Sequence, residues 1–144
     1  MFQTIVLALD GSEGSKRAIP FAVELARRDN AKIVIAHVEE RTADRTSAPI
    51  HADEPEIQAE IRSEADNVAA EGIETSVRMA SVMLGGPARA IEEIADEAEA
   101  DLIVVGTRGH APVPGLLLGS VTQRLLHIAD CPVLAVPRGA EPAD

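Results

Sequence analysis

The stretch GTRGHAPVPGLLLGSV, residues 106–121, decides how this chain folds. It follows the apolar run at 102–105 and leads into a segment with apolar residues at helical spacing, so it lies where a strand crosses over to a helix. Its glycines let the main chain approach a ligand closely and present N–H groups to an anion. A serine adds a hydroxyl at the positive end of the following helix. The stretch therefore predicts a phosphate-binding loop built on Gly106, Gly109, Gly119 and Ser120.

A purely structural loop is the alternative. In that interpretation Gly106 forms a turn, Gly109 is an ordinary loop residue and Ser120 only caps the helix. Phosphate binding is favoured because three glycines in fixed slots coincide with a hydroxyl residue at a strand-to-helix crossing.

Outward from this loop, short apolar runs alternate with segments of helical periodicity along the whole chain. Strands are predicted at 4–9, 32–38, 73–79, 100–105 and 132–136, with helices between them. Parallel neighbours need a crossover connection, and crossovers are right-handed. The pattern therefore predicts an α/β fold with a single doubly wound, parallel, five-stranded sheet and helices on both faces. The third run alternates polar and apolar residues, which places that strand at or near an edge.

The length of 144 residues predicts a single domain over 1–144. Residues 39–55 are polar, charged and broken by prolines, which predicts an exposed connection, and residues 137–144 are predicted to form a loose tail. Pro20 falls inside the first helical segment, where it removes a backbone hydrogen bond, so we expect a late helix start or a kink there.

Composition restricts the partners and the compartment. The net charge of −11 opposes nucleic acid and anionic membranes as partners, and a chain without Trp or Tyr offers little for base stacking. No apolar run approaches the ~18 residues of a membrane span, and the N-terminus does not resemble a signal peptide. A single cysteine cannot form an internal disulfide, so we predict a cytoplasmic protein.

A second loop is predicted to face the same crevice as the glycine loop. In open parallel sheets, ligands bind beyond the carboxyl ends of the strands, where the strand order reverses. If the order is 3-2-1-4-5, the turn at 10–12 after the first strand adjoins the glycine loop after the fourth. This arrangement suits a nucleotide with its base or ribose near Asp10 and its phosphates along Gly109, Gly119 and Ser120. Taken alone, Asp10 is better explained as a turn residue that bonds its own backbone.

These motifs resemble the universal stress protein family over nearly the whole length of the chain. The shared features are an opening strand that ends in Asp-Gly-Ser, the run ADLIVVG at 100–106, the spacing Gly-x2-Gly-x9-Gly-Ser and a closing strand with CPVL at 131–134. The glycine spacing is the family's ATP-binding signature, matched here without insertion or deletion. The resemblance implies an ATP-binding stress-response regulator with the sheet order 3-2-1-4-5, commonly a homodimer, with little or no catalysis.

The resemblance also implies a set of ligand contacts at the ends of the first, second and fourth strands. Carried over by position, Ala8, Leu9 and Asp10 lie along the adenine and ribose, Val38 offers main-chain contact to the adenine, Val105 and Gly106 flank the ribose, and Gly109, Gly119, Ser120, Val121 and Thr122 hold the phosphates. This chain departs from the pattern at Pro112 and Pro114, which stiffen the loop, and in having no lysine in the loop.

Charge favours a metal that travels with the nucleotide. A triphosphate entering a protein of net charge −11 needs local positive charge, and within the loop only Arg108 and His110 supply it. A helix end contributes about 0.3 to 1 kcal/mol to each such interaction. We therefore predict ATP with Mg²⁺ or Mn²⁺ bound through the phosphates and not by protein ligands. Arg108 is equally well explained as a phosphate contact or as a solvated loop charge.

No catalytic machinery is apparent in the sequence. The chain lacks the Walker pattern Gly-x4-Gly-Lys-Ser/Thr, and no nucleophile, base and orienting residue occur in a recognisable set. We therefore predict a protein that is not an enzyme. A slow ATP hydrolase is one alternative, and a dimeric scaffold or partner-binding module that no longer binds ATP is another.

The fifth strand predicts self-association. It is apolar without alternation although the strand order places it at an edge, and an exposed apolar edge needs a cover. We predict a two-fold homodimer through Val133, Leu134, Ala135 and Val136. The alternative is a strand shielded by its own helices and tail. The sequence does not identify a regulatory protein partner.

Overall fold

The computed structural model describes residues 1–42, 48–83, 86–107 and 118–143, which contain ten elements of secondary structure. The strands are β1 (Thr4–Ala8), β2 (Lys32–Arg41), β3 (Thr75–Met83), β4 (Leu102–Gly106) and β5 (Val133–Val136). The helices are α1 (Glu13–Lys16), α2 (Ala18–Asp29), α3 (Glu54–Ala70), α4 (Pro87–Glu97) and α5 (Ser120–Ile128).

All neighbouring strands are parallel, and their order in the sheet is β3-β2-β1-β4-β5. The predicted fold and strand order are therefore confirmed. β1 and β4 lie side by side with Leu7 opposite Val104, and every residue of both strands is buried. The chain leaves β1 toward β2 and β3 on one side and returns to β4 and β5 on the other. The carboxyl ends of β1 and β4 therefore border the crevice at which the strand order reverses.

Helices cover both faces of the sheet and create two apolar layers. One layer joins α2 and α3 to the face of β1 that carries Ile5 and Leu7. The other joins α4 and α5 to the opposite face, which carries Val6 and Ala8. Burial on both faces explains why β1 and β4 are continuous apolar runs. In the described part of the chain, no helix has the length and apolar character needed to cross a membrane.

Pro20 explains why the first helical segment is divided. The segment breaks at Arg17, between α1 and α2, so Pro20 lies in the first turn of α2. A proline is tolerated there because first-turn N–H groups have no partner within the helix. The helix starts early, at Glu13, so the expected irregularity near Pro20 takes the form of this break and not of a late start.

The prediction of an exposed connection over 39–55 was wrong at both ends. β2 continues to Arg41, and α3 begins at Glu54, with Glu39 and Glu54 both buried. Burial is possible because each carboxylate has hydrogen-bond partners; that of Glu39 accepts from the Ser81 hydroxyl at 2.7 Å. Residues 48–50 also pair with the end of β2, through the antiparallel bridge between Arg41 and Pro49.

β5 lies at one edge of the sheet, and within the described residues β4 is the strand it pairs with. Val136 is buried, whereas the three preceding residues are half-buried. The described tail, residues 137–143, contains no helix or strand, and Ala140 packs against the apolar layer of α2 and α3. The homodimer through this strand stays a prediction.

Candidate functional site

Asp10 follows β1 and holds its own turn together. Its Oδ1 atom accepts from the Ser12 N–H at 2.8 Å and from the Ser12 hydroxyl at 2.5 Å. The N–H of Asp10 donates to the Ser15 hydroxyl at 3.2 Å. Asp10 therefore bonds its own turn, as the structural interpretation expects, and its contact with a ligand stays a prediction. These bonds also fix the position of the Asp10 carboxylate beside the end of β1.

Gly11 connects this turn to α3. Its φ of +83° lies in the left-handed region, which residues other than glycine rarely adopt. A Cβ atom at Gly11 would also lie 2.9 Å from Cγ2 of Ile57. Ser12 then caps α1 by accepting from the Ser15 N–H at 3.1 Å. The turn is thus held by its own hydrogen bonds and by close packing against α3.

Gly106 ends β4, and the structure gives a packing reason for its identity. A Cβ atom there would lie 2.4 Å from the carbonyl oxygen of Gly14, in α1. The first turn of α1 therefore contacts the end of β4 backbone to backbone. The sequence interpretation that Gly106 leaves room for a phosphate is not needed to explain this glycine.

The two ends of the glycine loop meet beyond β4. The N–H of Gly119 donates to the carbonyl of Thr107 at 2.5 Å, and the Thr107 N–H donates to the Val136 carbonyl at 3.1 Å. The Thr122 hydroxyl donates to the Gly106 carbonyl at 2.6 Å. These bonds place the start of α5 at the carboxyl end of β4, whatever path the chain takes between 107 and 118.

The first turn of α5 has the character of an anion-binding helix start. Gly119 is the N-cap residue and no described side chain caps the helix, while Ser120 is exposed. The side chain of Thr122 is buried and its hydroxyl is used by Gly106, so only its N–H is suited to an anion. The first N–H groups of a helix lack intrahelical partners and carry the positive end of its dipole.

A buried His–Glu pair lies beside the end of β1, and sequence reasoning missed it. His37 and Glu54 are each 3% exposed, and His37 Nε2 lies 2.5 Å from Glu54 Oε1. The other ring nitrogen, Nδ1, lies 2.8 Å from the carbonyl oxygen of Leu9. The available indication was a histidine inside a buried strand followed by an acidic residue at the start of the next helix.

The structure brings most of the predicted ligand contacts to one edge of the sheet. Ala8 pairs with Ala36, so Val38 lies two residues beyond that pair along β2. At this edge lie Ala8, Leu9 and Asp10 at the end of β1, Val38 in β2, Val105 and Gly106 at the end of β4, and Gly119, Ser120, Val121 and Thr122 at the start of α5. Arg108 and Gly109 lie outside the described residues, as do Pro112 and Pro114.

A groove of about 330 Å³ lies elsewhere, between α2 and α3. Its walls include Val23, Val68 and the tail residue Pro142, with charged side chains at the rim. It does not adjoin the switch point of the sheet. We therefore place the candidate site at the crevice between β1 and β4 and not in this groove.

Two carboxylates with lowered pKa values, those of Asp101 and Asp29, lie at the opposite edge of the sheet. Hydrogen bonds from the Thr4 and Gln3 N–H groups lower the pKa of Asp101, which precedes β4. A bond from the Phe2 N–H similarly lowers the pKa of Asp29. These two carboxylates hold the N-terminal residues that lead into β1. Among the described residues, no cluster of three or more His, Cys, Asp or Glu side chains could hold a metal ion.

A family model, related sequences and solved structures all match this chain to one protein family. The sequence model described as the universal stress protein family matches residues 1–137. A universal stress protein of Thermus aquaticus is 39% identical over 139 residues, which cover 94% of this chain and 99% of that protein.

Solved structures show the same similarity. A member of the universal stress protein family from Burkholderia pseudomallei is 31% identical, with a TM-score of 0.70 over 94% of this chain and 96% of that chain. A universal stress protein solved in complex with cAMP is 33% identical, with a TM-score of 0.66 over 94% of this chain and 97% of that one.

Proposed function

This chain belongs to the universal stress protein family, and from that premise we propose that it is a cytoplasmic stress-response regulator that binds ATP. The proposed site is the crevice at the carboxyl ends of β1 and β4. The relative solved with cAMP supports an adenine nucleotide as the class of ligand.

One observation carries the proposal: the Asp10 turn and the start of α5 lie at the same edge of the sheet, on adjacent strands. β1 and β4 pair in parallel up to Leu7 and Val104, so the segments that follow them leave the sheet side by side. Thr122 and Thr107 then hold the start of α5 at the end of β4. A carboxylate and a helix start therefore border one crevice.

The two sides of this crevice suit different parts of a nucleotide. The exposed Ser120 and the first N–H groups of α5 suit phosphate oxygens. The Asp10 carboxylate suits ribose hydroxyls, which can donate to it. Leu9 and the main chain of Val38 lie on the side away from α5 and suit the base. Arg108 and Gly109 are proposed to complete the phosphate contacts.

A divalent cation is proposed to enter with the ATP. The protein carries a net charge of −11, and bound Mg²⁺ or Mn²⁺ would neutralise part of the phosphate charge. Because the cation is coordinated by phosphates, the protein would contribute the helix start, the Ser120 hydroxyl and the carboxylate that orients the sugar. We propose binding and not turnover as the role of the site.

A dimeric partner-binding module is the second candidate, and the edge position of β5 favours it. Val133, Leu134 and Ala135 are half-buried on a strand that, in the part of the chain the structure describes, pairs on the β4 side alone. A two-fold partner strand would cover this edge. The same dimer is compatible with nucleotide binding, in which case the ligand would regulate the choice of a protein partner.

Nucleotide analysis of freshly purified protein separates these candidates. The protein is denatured, and the released small molecules are identified by chromatography and mass spectrometry. We expect an adenine nucleotide in the supernatant. Absence of nucleotide, together with no calorimetric signal for added Mg·ATP at millimolar concentration, would leave the scaffold as the function.

A further inference from the structure

We propose that His37 and Glu54 form a positioning pair that holds the Leu9 carbonyl away from the Val38 main chain. The pair thereby leaves the Val38 N–H and carbonyl open to the base of a bound nucleotide. The identity of the ligand rests on the proposed function, whereas the effect of the pair on the sheet stands on the geometry alone.

The first step is an interrupted ladder between β1 and β2. The Leu9 N–H donates to the Ala36 carbonyl at 2.9 Å, as the register of the two strands requires. In a regular parallel ladder, the next bond would run from the Val38 N–H to the Leu9 carbonyl. That carbonyl instead accepts from the His37 ring at 2.8 Å.

The second step is that Val38 faces this gap. The Ile33 N–H donates to the Glu74 carbonyl, ahead of β3, at 2.9 Å, so the odd-numbered residues of β2 direct their main-chain groups toward β3. Val38, at an even position, directs its N–H and carbonyl toward β1. Pairing on that side resumes two residues later, where the Ile50 N–H donates to the Glu40 carbonyl at 2.9 Å. The gap is therefore centred on Val38, with Leu9 on one side and Ile50 on the other.

The third step concerns the orientation of the imidazole. The Leu9 carbonyl can only accept, so we assign a proton to Nδ1 of His37, and the contact between Nε2 and Glu54 Oε1 holds a second proton, on the ring or on the carboxyl group. Nε2 is held by Glu54 Oε1 at 2.5 Å, and the same oxygen accepts from the Gln58 amide at 3.1 Å. Both ring nitrogens and the carboxylate are thus fixed inside the protein. Glu54 acts through His37 and does not contact the gap, so each is a positioning residue.

An adjacent donor and acceptor on one residue fit the edge of adenine. A ring nitrogen of adenine can accept from the Val38 N–H, and the exocyclic amino group can donate to the Val38 carbonyl. Inosine carries an oxygen in place of that amino group, so its base cannot donate in the same way. The open gap therefore predicts a preference for ATP over inosine triphosphate.

Amide hydrogen exchange in the nucleotide-free protein tests the positioning directly. In the unmodified chain we expect the Val38 amide to exchange at least about tenfold faster than the Ala36 amide, because it lacks a ladder partner. The double variant His37→Leu with Glu54→Leu removes both polar partners together, so neither remains buried alone. There the Val38 amide should become protected by the freed Leu9 carbonyl. A Val38 amide that is already as protected as Ala36 in the unmodified chain would overturn the proposal.

Glu54→Gln is the matched control. Its amide can donate to His37 Nε2 and so preserve the proton on Nδ1, and nitrogen NMR of the ring reports that tautomer. The exchange rate of the Val38 amide should match that of the unmodified chain. Loss of the Nδ1–H tautomer without any change at Val38 would contradict the role of Glu54.

Competition between ATP and inosine triphosphate tests the base-reading role. One hydrogen bond is worth roughly a five- to tenfold preference. We expect that preference in the unmodified chain and in Glu54→Gln, and its loss in the double variant. The same preference for ATP in all three proteins would show that the pair does not control base reading, and no preference in the unmodified chain would overturn base reading itself. If no nucleotide binds the unmodified chain, the proposed function fails, and base reading with it. The exchange experiment still decides whether the pair positions Leu9.

Discussion

The hydroxyl of Thr122 donates to the carbonyl of Gly106 at 2.6 Å and joins the start of α5 to the end of β4. The bond is buried, and it joins residues that lie on either side of the glycine loop in the sequence. The position of the helix start therefore depends on one side chain as well as on the loop.

Thr122→Val removes this bond while keeping the volume of the side chain. The buried Gly106 carbonyl loses its partner, so we expect the free energy of unfolding to fall by about 1 to 3 kcal/mol. Affinity for Mg·ATP should fall several-fold, since the helix start is less well held. Urea unfolding and calorimetry measure the two effects, and Thr122→Ser, which keeps the hydroxyl, is the control. Equal stability and affinity in Val and Ser variants would show that the bond has no such role.

Ser120→Asp should change stability and binding in opposite directions. An acidic residue in the first turn stabilises a helix by about 0.3 to 1 kcal/mol, so the melting temperature should stay level or rise. The same charge repels phosphate, and affinity for Mg·ATP should fall by about tenfold or more.

Ser63→Asp, on the exposed face of α3, makes the same change of net charge away from the crevice. It should leave Mg·ATP affinity within about twofold, because distant surface charges are screened by salt. Similar losses in both variants would assign the effect to net charge and not to the start of α5.

Gly106→Ala tests the packing role assigned to that glycine. The new methyl group would meet the Gly14 carbonyl oxygen at 2.4 Å, and backbone cannot move aside as a flexible side chain can. We expect a loss of about 3 kcal/mol or more in the free energy of unfolding. Gly86→Ala is the control, because the nearest atoms lie 3.5 Å away and its φ is −106°. That variant should lose less than about 1 kcal/mol.

These glycines also show how far the sequence predicts the structure. Apolar runs with no alternation predicted the central strands correctly, because burial on both faces leaves no polar position in β1 or β4. The spacing of the loop glycines led to the assignment of Gly106 to a ligand, whereas its contact with the main chain of Gly14 joins residues that are distant in sequence. A backbone contact of that kind depends on how α1 crosses the sheet, which periodicity does not encode.

The sequence predicted where the residues of the candidate site lie in the fold, but not the contacts that they make. The strand order placed Asp10 and the start of α5 at one edge of the sheet, as expected. Residues 39–55 are rich in charge, and their composition indicated exposure. Glu39 and Glu54 are buried nevertheless, because their carboxyl groups form hydrogen bonds with Ser81 and His37. Such partners come from other elements, so local composition could not reveal them.

Asp101→Asn should make stability less dependent on pH. The carboxylate accepts from the Thr4 N–H at 2.9 Å and the Gln3 N–H at 2.7 Å, and these bonds lower the pKa of Asp101 below its ordinary value of 3.8. The unfolded chain therefore binds this proton more readily than the folded one. The stabilisation is present above that ordinary pKa and is lost as the pH falls through it toward the lower, folded-state pKa.

We expect Asp101→Asn to cost about 1 kcal/mol at pH 7, with the difference from the unmodified chain narrowing below about pH 4. Urea unfolding at a series of pH values measures this. Asp66→Asn, on the exposed face of α3, should show no such convergence. A constant difference between Asp101→Asn and the unmodified chain at every pH would contradict the assignment.

The most direct test of the account is an NMR titration of the isotope-labelled protein with Mg·ATP. The proposed site predicts saturable shifts of the amide signals of Asp10, Val38, Ser120 and Val121, all with one dissociation constant. The amides that line the groove between α2 and α3, such as Val23 and Val68, should not move. Saturable shifts confined to that groove, or no saturable shift at millimolar Mg·ATP, would contradict nucleotide binding between β1 and β4.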